Sequence, residues 1–263
     1  MSVPSRFKMS GYGLSHVGKV RQRNEDALSI DPDGHFALIA DGMGGHKGGM
    51  EASRMTIARV SEELGKDFAR LQKMNEVERH RYFRDLFQQT SREVYEHGVV
   101  DHSLSNMGTT LVVWVSLGAE FLVAHVGDSR GYLIRDNGIY QLTMDHTFVN
   151  EQIAAGAERD EIFNGASFRN AIFRNIGMMP PSVPGILCGE ICAGDVWVLC
   201  TDGLSNKMSS EEIFERVRNA QDAHAGKPSF LADACRGLVE LALDRGGEDN
   251  ISVLVLKTTS LSS

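Results

Sequence analysis

Apolar residues along this chain fall into two kinds of pattern. The first is the short, nearly unbroken run: "HFALIAD" at 35–41, the stretches 110–115, 121–126, 130–135 and 139–142, "DVWVLC" at 195–200 and "NISVLVLK" at 250–257. Runs of this length, bounded by turn formers, predict β-strands. "GYGLSHVG" near the start reads the same way, and "DPDG" at 31–34 is the turn before "HFALIAD". "SLGAE", "GDS" and "DNG" punctuate the middle of the chain, the last being a hairpin signal. The most membrane-like window, "TTLVVWVSLGAEFLVAHVG", is interrupted by Gly118, Glu120 and His125. It reads as two strands joined at "SLGAE", because a spanning helix needs about 20 largely apolar residues.

The second pattern is helical. In "GMEASRMTIARVSEEL" the apolar positions Met50, Ile57, Val60 and Leu64 share a face, and in "RYFRDLFQQTSREVYEHG" Phe83, Leu86, Phe87 and Val94 do so, with Gly98 as a stop. Ser209 and Glu212 form a capping-box pattern ahead of Ile213, Phe214 and Val217. A further helix is predicted from about Ser229 to Arg245, carrying Leu231, Ala234, Leu238 and Leu241 on one side. The polar segment 145–185 shows little periodicity and is expected to form a flap. Hairpin-linked strands with helices grouped before and after them predict an α+β layered sandwich, and the absence of repeats or long linkers predicts a single domain over 1–263.

Composition adds limits. A net charge of −8 argues against a nucleic-acid binder. Cys188, Cys192, Cys200 and Cys235 lack paired C-x-x-C spacing, so free thiols in a reducing compartment are expected, not zinc ligands or disulfides. "MSVPSRFKMSGYG" has no signal-type apolar segment, so a cytoplasmic protein with no membrane partner is expected.

The chemistry lies in acidic residues at strand ends. Asp41, Asp128 and Asp202 each follow an apolar run, Asp249 leads into the last one, and Glu25 and Asp26 lie beside strand-like chain. Taken singly, each is a turn or cap residue, as at Asp33-Gly34 and Asp136-Asn137-Gly138. As a converging set they would repel one another, and hard cations such as Mg²⁺ or Mn²⁺ would relieve that repulsion with oxygen ligands alone. Glycines after Asp41 and Asp202 let backbone come close, so that a carbonyl can join the ligands. In "GKVRQRNED", Lys19, Arg21 and Arg23 share a face if the segment is extended. Arg21 then either grips a phosphate dianion or belongs to a solvated basic edge. "GGHKGG" and "GKPS" do not fit a phosphate-binding P-loop.

Six motifs, "GKVRQRNED", "ADGMGGH", "MGTT", "HVGDSR", "TDGL" and "GGEDNIS", occur in this order. Together they resemble the metal-dependent protein phosphatase family (PPM, type 2C), above all its short bacterial serine/threonine enzymes, over roughly residues 11–257. The resemblance implies a four-layer αββα sandwich of two mainly antiparallel sheets, with metals in a cleft at one edge. By position it implies that Asp41 bridges two metals, that the Gly42 carbonyl joins it, and that Asp202 and Asp249 complete the pair. Asp26 reaches the site partly through water, with Glu25 a further candidate; Asp128 holds a third ion that shares Asp202, and Arg21 binds the substrate phosphate. The implied reaction is hydrolysis of phosphoserine or phosphothreonine in phosphoproteins made by a kinase. A hydroxide bridging the metals attacks, with no phosphoenzyme and with the enzyme acting as a monomer.

This chain departs from the animal enzymes at Met43, where they carry a histidine proposed as general acid. His46 is then the nearest candidate proton donor, with a metal-bound water or the third-metal site equally open, and His16 stands where many relatives have Asp. Asp145 reads as a helix cap at the start of the flap region. Two rival readings stand beside the phosphatase: a docking module on the same fold, and an enzyme restricted to small phosphoesters or one anti-sigma-factor antagonist.

Overall fold

The computed structural model describes residues 7–44, 47–156, 171–224 and 227–260. Strands bury both faces here, and that single fact fixes the layer order. Every residue of β3 (Phe36–Ala40), β6 (Leu111–Leu117) and β11 (Val196–Cys200) is buried. Their alternate side chains go to different cores. Phe36, Leu38, Ala40, Val113 and Val115 pack with Val60 and Leu64 of α1 (Gly48–Leu71) and with Phe83 and Phe87 of α2 (Glu76–Val100). Ala37, Ile39 and Trp114 instead meet Trp197, Leu199 and Leu254 of the opposite sheet. Val196, Val198 and Cys200 face a third cluster containing Ile213, Val217, Leu231, Ala234 and Leu238. Three apolar layers therefore separate four structural ones.

One sheet runs β1 (Phe7–His16), β12 (Ile251–Ser260), β11, β8 (Arg130–Arg135), β9 (Gly138–Gln141); the other runs β10 (Gly185–Glu190), β7 (Glu120–Val126), β6, β3, β2 (Ala27–Ile30). The pairings are antiparallel, as the hairpin-rich sequence predicts. A two-stranded ribbon, β4 (Gly42–Met43) with β5 (Gly108–Thr109), stands apart from both. Between the sheets the Trp114 and Trp197 rings lie 5.3 Å apart, and Phe121 meets Trp197 edge-on at 4.4 Å. Short α3 (Phe148–Ala154) and α4 (Asp202–Ser205) precede the outer pair α5 (Ser210–Ala223) and α6 (Phe230–Asp244).

Most sequence expectations hold. "SLGAE" and "DNG" are the β6–β7 and β8–β9 turns, with Gly118 at φ +86° and Asp136 at φ +52°. Ser209 caps α5 through both capping-box hydrogen bonds, and the four cysteines are free. Others need correction. Gly98 does not end its helix, which continues to Val100; a Cβ there would lie 3.0 Å from the Leu104 carbonyl oxygen, so the glycine serves a close approach. α2 also begins earlier than its apolar stripe, at a capping box formed by Asn75 and Glu78. Asp145 caps nothing: Thr147 caps α3, and Asp145 receives a two-pronged ion pair from Arg130 at 2.7–3.1 Å. Within the expected flap, residues 157–170 lie outside the described residues. Among the described residues no helix is long and apolar enough to cross a membrane.

Candidate active site

The strand ends do converge. Asp41 follows β3, Asp128 lies between β7 and β8, Asp202 opens α4 straight after β11, and Asp249 precedes β12. The two sheets thus deliver carboxylates to one edge of the sandwich. There they line a cleft of about 320 Å³ together with Arg21, Arg23, Glu25, Gly42 and Asn250.

Backbone contacts hold the carboxylates in place. The Asp41 N–H donates to Thr110 Oγ1 at 2.9 Å, and the Asp41 carbonyl accepts from the Thr110 N–H at 2.9 Å and from Thr109 Oγ1 at 2.8 Å. Thr110 Oγ1 also meets Ser129 Oγ at 2.7 Å, next to Asp128. The "MGTT" and "GDS" motifs are therefore one clamp on two acidic positions. Gly42 is squeezed between chains: a Cβ would lie 2.1 Å from the Gly49 carbonyl oxygen. At Gly203 a Cβ would lie 1.9 Å from the Asn250 carbonyl oxygen, so this glycine lets the Asp202 turn dock beside Asp249. The sequence predicts close backbone approach here for a carbonyl ligand; the structure uses that approach to pack the turn.

Sequence reasoning missed Asn250. Its Oδ1 accepts from the Glu25 N–H at 2.8 Å, and its Nδ2 donates to the Val17 and Arg23 carbonyls, both at 2.9 Å. One buried amide thus fastens the loop that carries Arg21 and Glu25. That loop is bent, not extended, so the shared face of Lys19, Arg21 and Arg23 is not what forms the site. Arg21 reaches the cleft from the rim and donates to Asp249 Oδ2 at 2.8 Å. Asp26 sits behind the cleft wall, 8 % exposed; its Oδ2 accepts from Ser252 Oγ at 2.6 Å and Thr201 Oγ1 at 3.0 Å, while its Oδ1 has no partner. His16 Nδ1 accepts from the Gly18 N–H at 2.9 Å and so shapes the start of the loop. His46 lies outside the described residues.

The electrostatics are those of crowded acids. Burial, then Asp26, Asp202, Asp128 and Asp249, hold the Asp41 carboxyl well above the usual carboxylate range. Burial pushes Asp26 up to about 7 against the pull of Ser252 and Thr201. Burial, then Asp202 and Asp145, takes Asp128 to about 7 as well. Asp202 is raised by burial and by Asp249, and the Arg21 guanidinium is held protonated by its bond to Asp249. An all-oxygen donor set, mutually repelling and with a buried orphan oxygen on Asp26, fits hard divalent cations. A second acidic group, Asp31, Asp33 and His35, brings its donor atoms within 4.8 Å of one another. It lies at the β2–β3 turn outside the cleft, where Asp31 Oδ2 accepts from the His35 N–H at 3.0 Å.

A four-layer sandwich with such a cleft defines a class, and residues 12–234 match the family described as protein phosphatase 2C. The chain belongs to that family and is a protein serine/threonine phosphatase, a phosphoric monoester hydrolase. It is 30% identical over 243 residues to the serine/threonine phosphatase stp of Listeria monocytogenes, covering 91% of this chain and 92% of the relative. The S. agalactiae serine/threonine phosphatase structure matches with a TM-score of 0.78 at 31% identity, over 95% of this chain and 99% of the other. The catalytic domain of the serine/threonine protein phosphatase PstP, solved in complex with two manganese ions, matches with a TM-score of 0.78 at 30% identity, over 97% and 100%. These likenesses agree with the αββα architecture expected from the motifs.

Proposed function

We propose that the chain is one catalytic domain that hydrolyses phosphoserine and phosphothreonine of kinase-modified proteins in this cleft. Two divalent cations, Mn²⁺ or Mg²⁺, would be held by Asp41, the Gly42 carbonyl, Asp202 and Asp249. Asp128 would share Asp202 in holding a third, and Glu25 and Asp26 would support the pair from the loop side. The carrying observation is that carboxylates from four separate strand ends line one cleft with an arginine at its rim. A module that only docked partners would have no use for that set.

When bound, such cations neutralise charge on the phosphoryl oxygens and make water ionise near neutral pH. The chain supplies the rest. Arg21, whose side chain is 55% exposed, exchanges Asp249 for the incoming phosphate dianion and orients it. Thr109 and Thr110 fix the Asp41 backbone, so the carboxylate needs no rearrangement as charge develops. The free thiols, one of them exposed, agree with a cytoplasmic setting, and the net charge of −8 agrees with protein substrates and not nucleic acid. The enzyme is read as a monomer that works away from membranes.

The test is phosphate release from a phosphothreonine peptide with Mn²⁺, then with chelator, for the wild type and Asp41→Asn. Metal-dependent turnover that collapses in the variant is expected. Folded protein without turnover on any phosphopeptide, with either metal, overturns the reading.

A further inference from the structure

The cleft has a neighbour. A groove of about 480 Å³, larger than the cleft itself, lies beside the β4–β5 ribbon, and Met43 lines both. Tyr95 and Val99 of α2, Met107, Met178 and Met179 form much of the rest. Among the described residues no Asp, Glu, Lys or Arg lines this groove, whereas Glu25, Asp41, Asp128, Asp202 and Asp249 all line the cleft. Tyr95, Val99 and Met179 are 42%, 52% and 45% exposed, so the groove offers apolar surface to solvent instead of closing into the core.

Resting on the phosphatase reading, we propose that this groove takes an apolar side chain of the phosphoprotein substrate, a few residues from the phosphorylated position, and so sets sequence preference. Continuity with the cleft carries the argument. A phosphoryl group beside Asp41 leaves the rest of the substrate to run over the two-residue ribbon whose Met43 is the shared wall. Each extended residue spans about 3.3–3.6 Å, so a side chain a few positions away clears the ribbon. The walls are fixed where they meet the site. Thr109 exchanges backbone hydrogen bonds with Ile176, at 3.0 and 2.9 Å, while also holding Asp41. At Gly177, which has φ +100°, a Cβ would lie 2.6 Å from the Met107 carbonyl oxygen, so the far wall needs glycine to seat there. The lining side chains, by contrast, are adaptable. Unbranched methionines repack around different shapes, so the groove selects apolar character (Leu, Ile, Met or Phe) and not one residue.

The experiment uses the full chain with Mn²⁺, p-nitrophenyl phosphate as a substrate too small to reach the groove, and phosphothreonine peptides scanned with Leu against Ala. Leu at one or two flanking positions is expected to raise kcat/KM about tenfold over Ala. Val99→Asp, at an exposed helix end, should abolish that gain and leave p-nitrophenyl phosphate turnover within about twofold; Met179→Ala should reduce the gain in the same way. A flat scan with active wild-type enzyme overturns the groove alone, as does a preference that both variants retain. Wild-type enzyme inactive on every substrate overturns the phosphatase reading and the groove with it.

Discussion

The interior between the sheets and the rim at their edge are built from the same strands, one or two residues apart, and they answer to opposite physics. β3 runs for five residues with no side chain more than 4% exposed, and the next residue is Asp41. β11 ends at buried Cys200, and Asp202 follows two residues later. Inside, each buried side chain adds favourable transfer free energy, about 25 cal/mol for each Å² of apolar surface. At the rim, burial acts on carboxyl groups and pushes them towards the protonated form. Stability therefore resides in the interior, while the rim carries chemistry at a cost to stability that cations offset.

The largest effect should come from the rim. Asp41→Asn is expected to lower kcat/KM on a phosphopeptide by about 10³-fold or more, while its metal-free melting temperature stays equal or rises. A melting temperature that falls with the activity would break the contrast. The interior should behave the other way. Trp197→Ala removes a ring in contact with Trp114 and Phe121, and should cost about 3–5 kcal/mol in urea unfolding. Activity per folded molecule should stay within a few-fold of wild type; a Trp197 variant as stable as wild type would show that the sheets pack through something else.

How far the two regions could be read from sequence differs for the same physical reason. Strands with both faces buried leave unbroken apolar runs, so β3, β6, β11 and β12 are legible without neighbours. β10 was hidden. Its Gly185 and Gly189 leave room for the His125 and Phe121 rings, 2.4 and 2.6 Å from where a Cβ would sit, and that demand comes from the partner strand β7. The rim aspartates are legible as positions after apolar runs, but spacing alone does not say that they meet. The motif resemblance supplied that. Asn250, Thr110 and the Arg130–Asp145 pair act through contacts distant in sequence or through backbone partners, which no local pattern reports.

Thr110 sharpens the comparison because it belongs to both regions: it is fully buried, yet its hydroxyl holds the Asp41 N–H. Thr110→Val keeps the shape and removes both hydroxyl contacts, leaving that N–H without its partner. The expected cost is about 1–3 kcal/mol in urea unfolding. A fall of about tenfold in kcat/KM should accompany it, because the Asp41 carboxylate loses its fixed backbone. Thr110→Ser retains the hydroxyl and should restore most of the activity. Loss of stability with full activity in Thr110→Val would mean that the clamp does not position Asp41.

The smallest effect separates the rim from the interior by pH. Asp128 has an ordinary value of 3.8 and is raised to about 7 in the fold, by burial first and then by Asp202 and Asp145. A raised acid is unpenalised below its unfolded value; its stability contribution falls as pH rises through the window from about 4 to about 7 and is flat above. Other groups titrate in the same window. Buried His125 and His146 are both held below their usual value, chiefly by burial, so their contribution runs the other way and rises with pH up to the ordinary histidine value of 6.5. The melting curve of wild type alone therefore mixes opposite slopes. The difference between Asp128→Asn and wild type cancels the histidines. In chelator, that difference should be near zero at the acid end and should grow by a few degrees in favour of the variant towards pH 8. With Mn²⁺ it should change sign, because the proposed third cation would stabilise the chain that retains Asp128 more than the variant, while the other two would bind both. Calorimetry at a series of pH values, with and without metal, decides it. A difference that is constant in pH would mean that Asp128 does not share the electrostatics of the cleft.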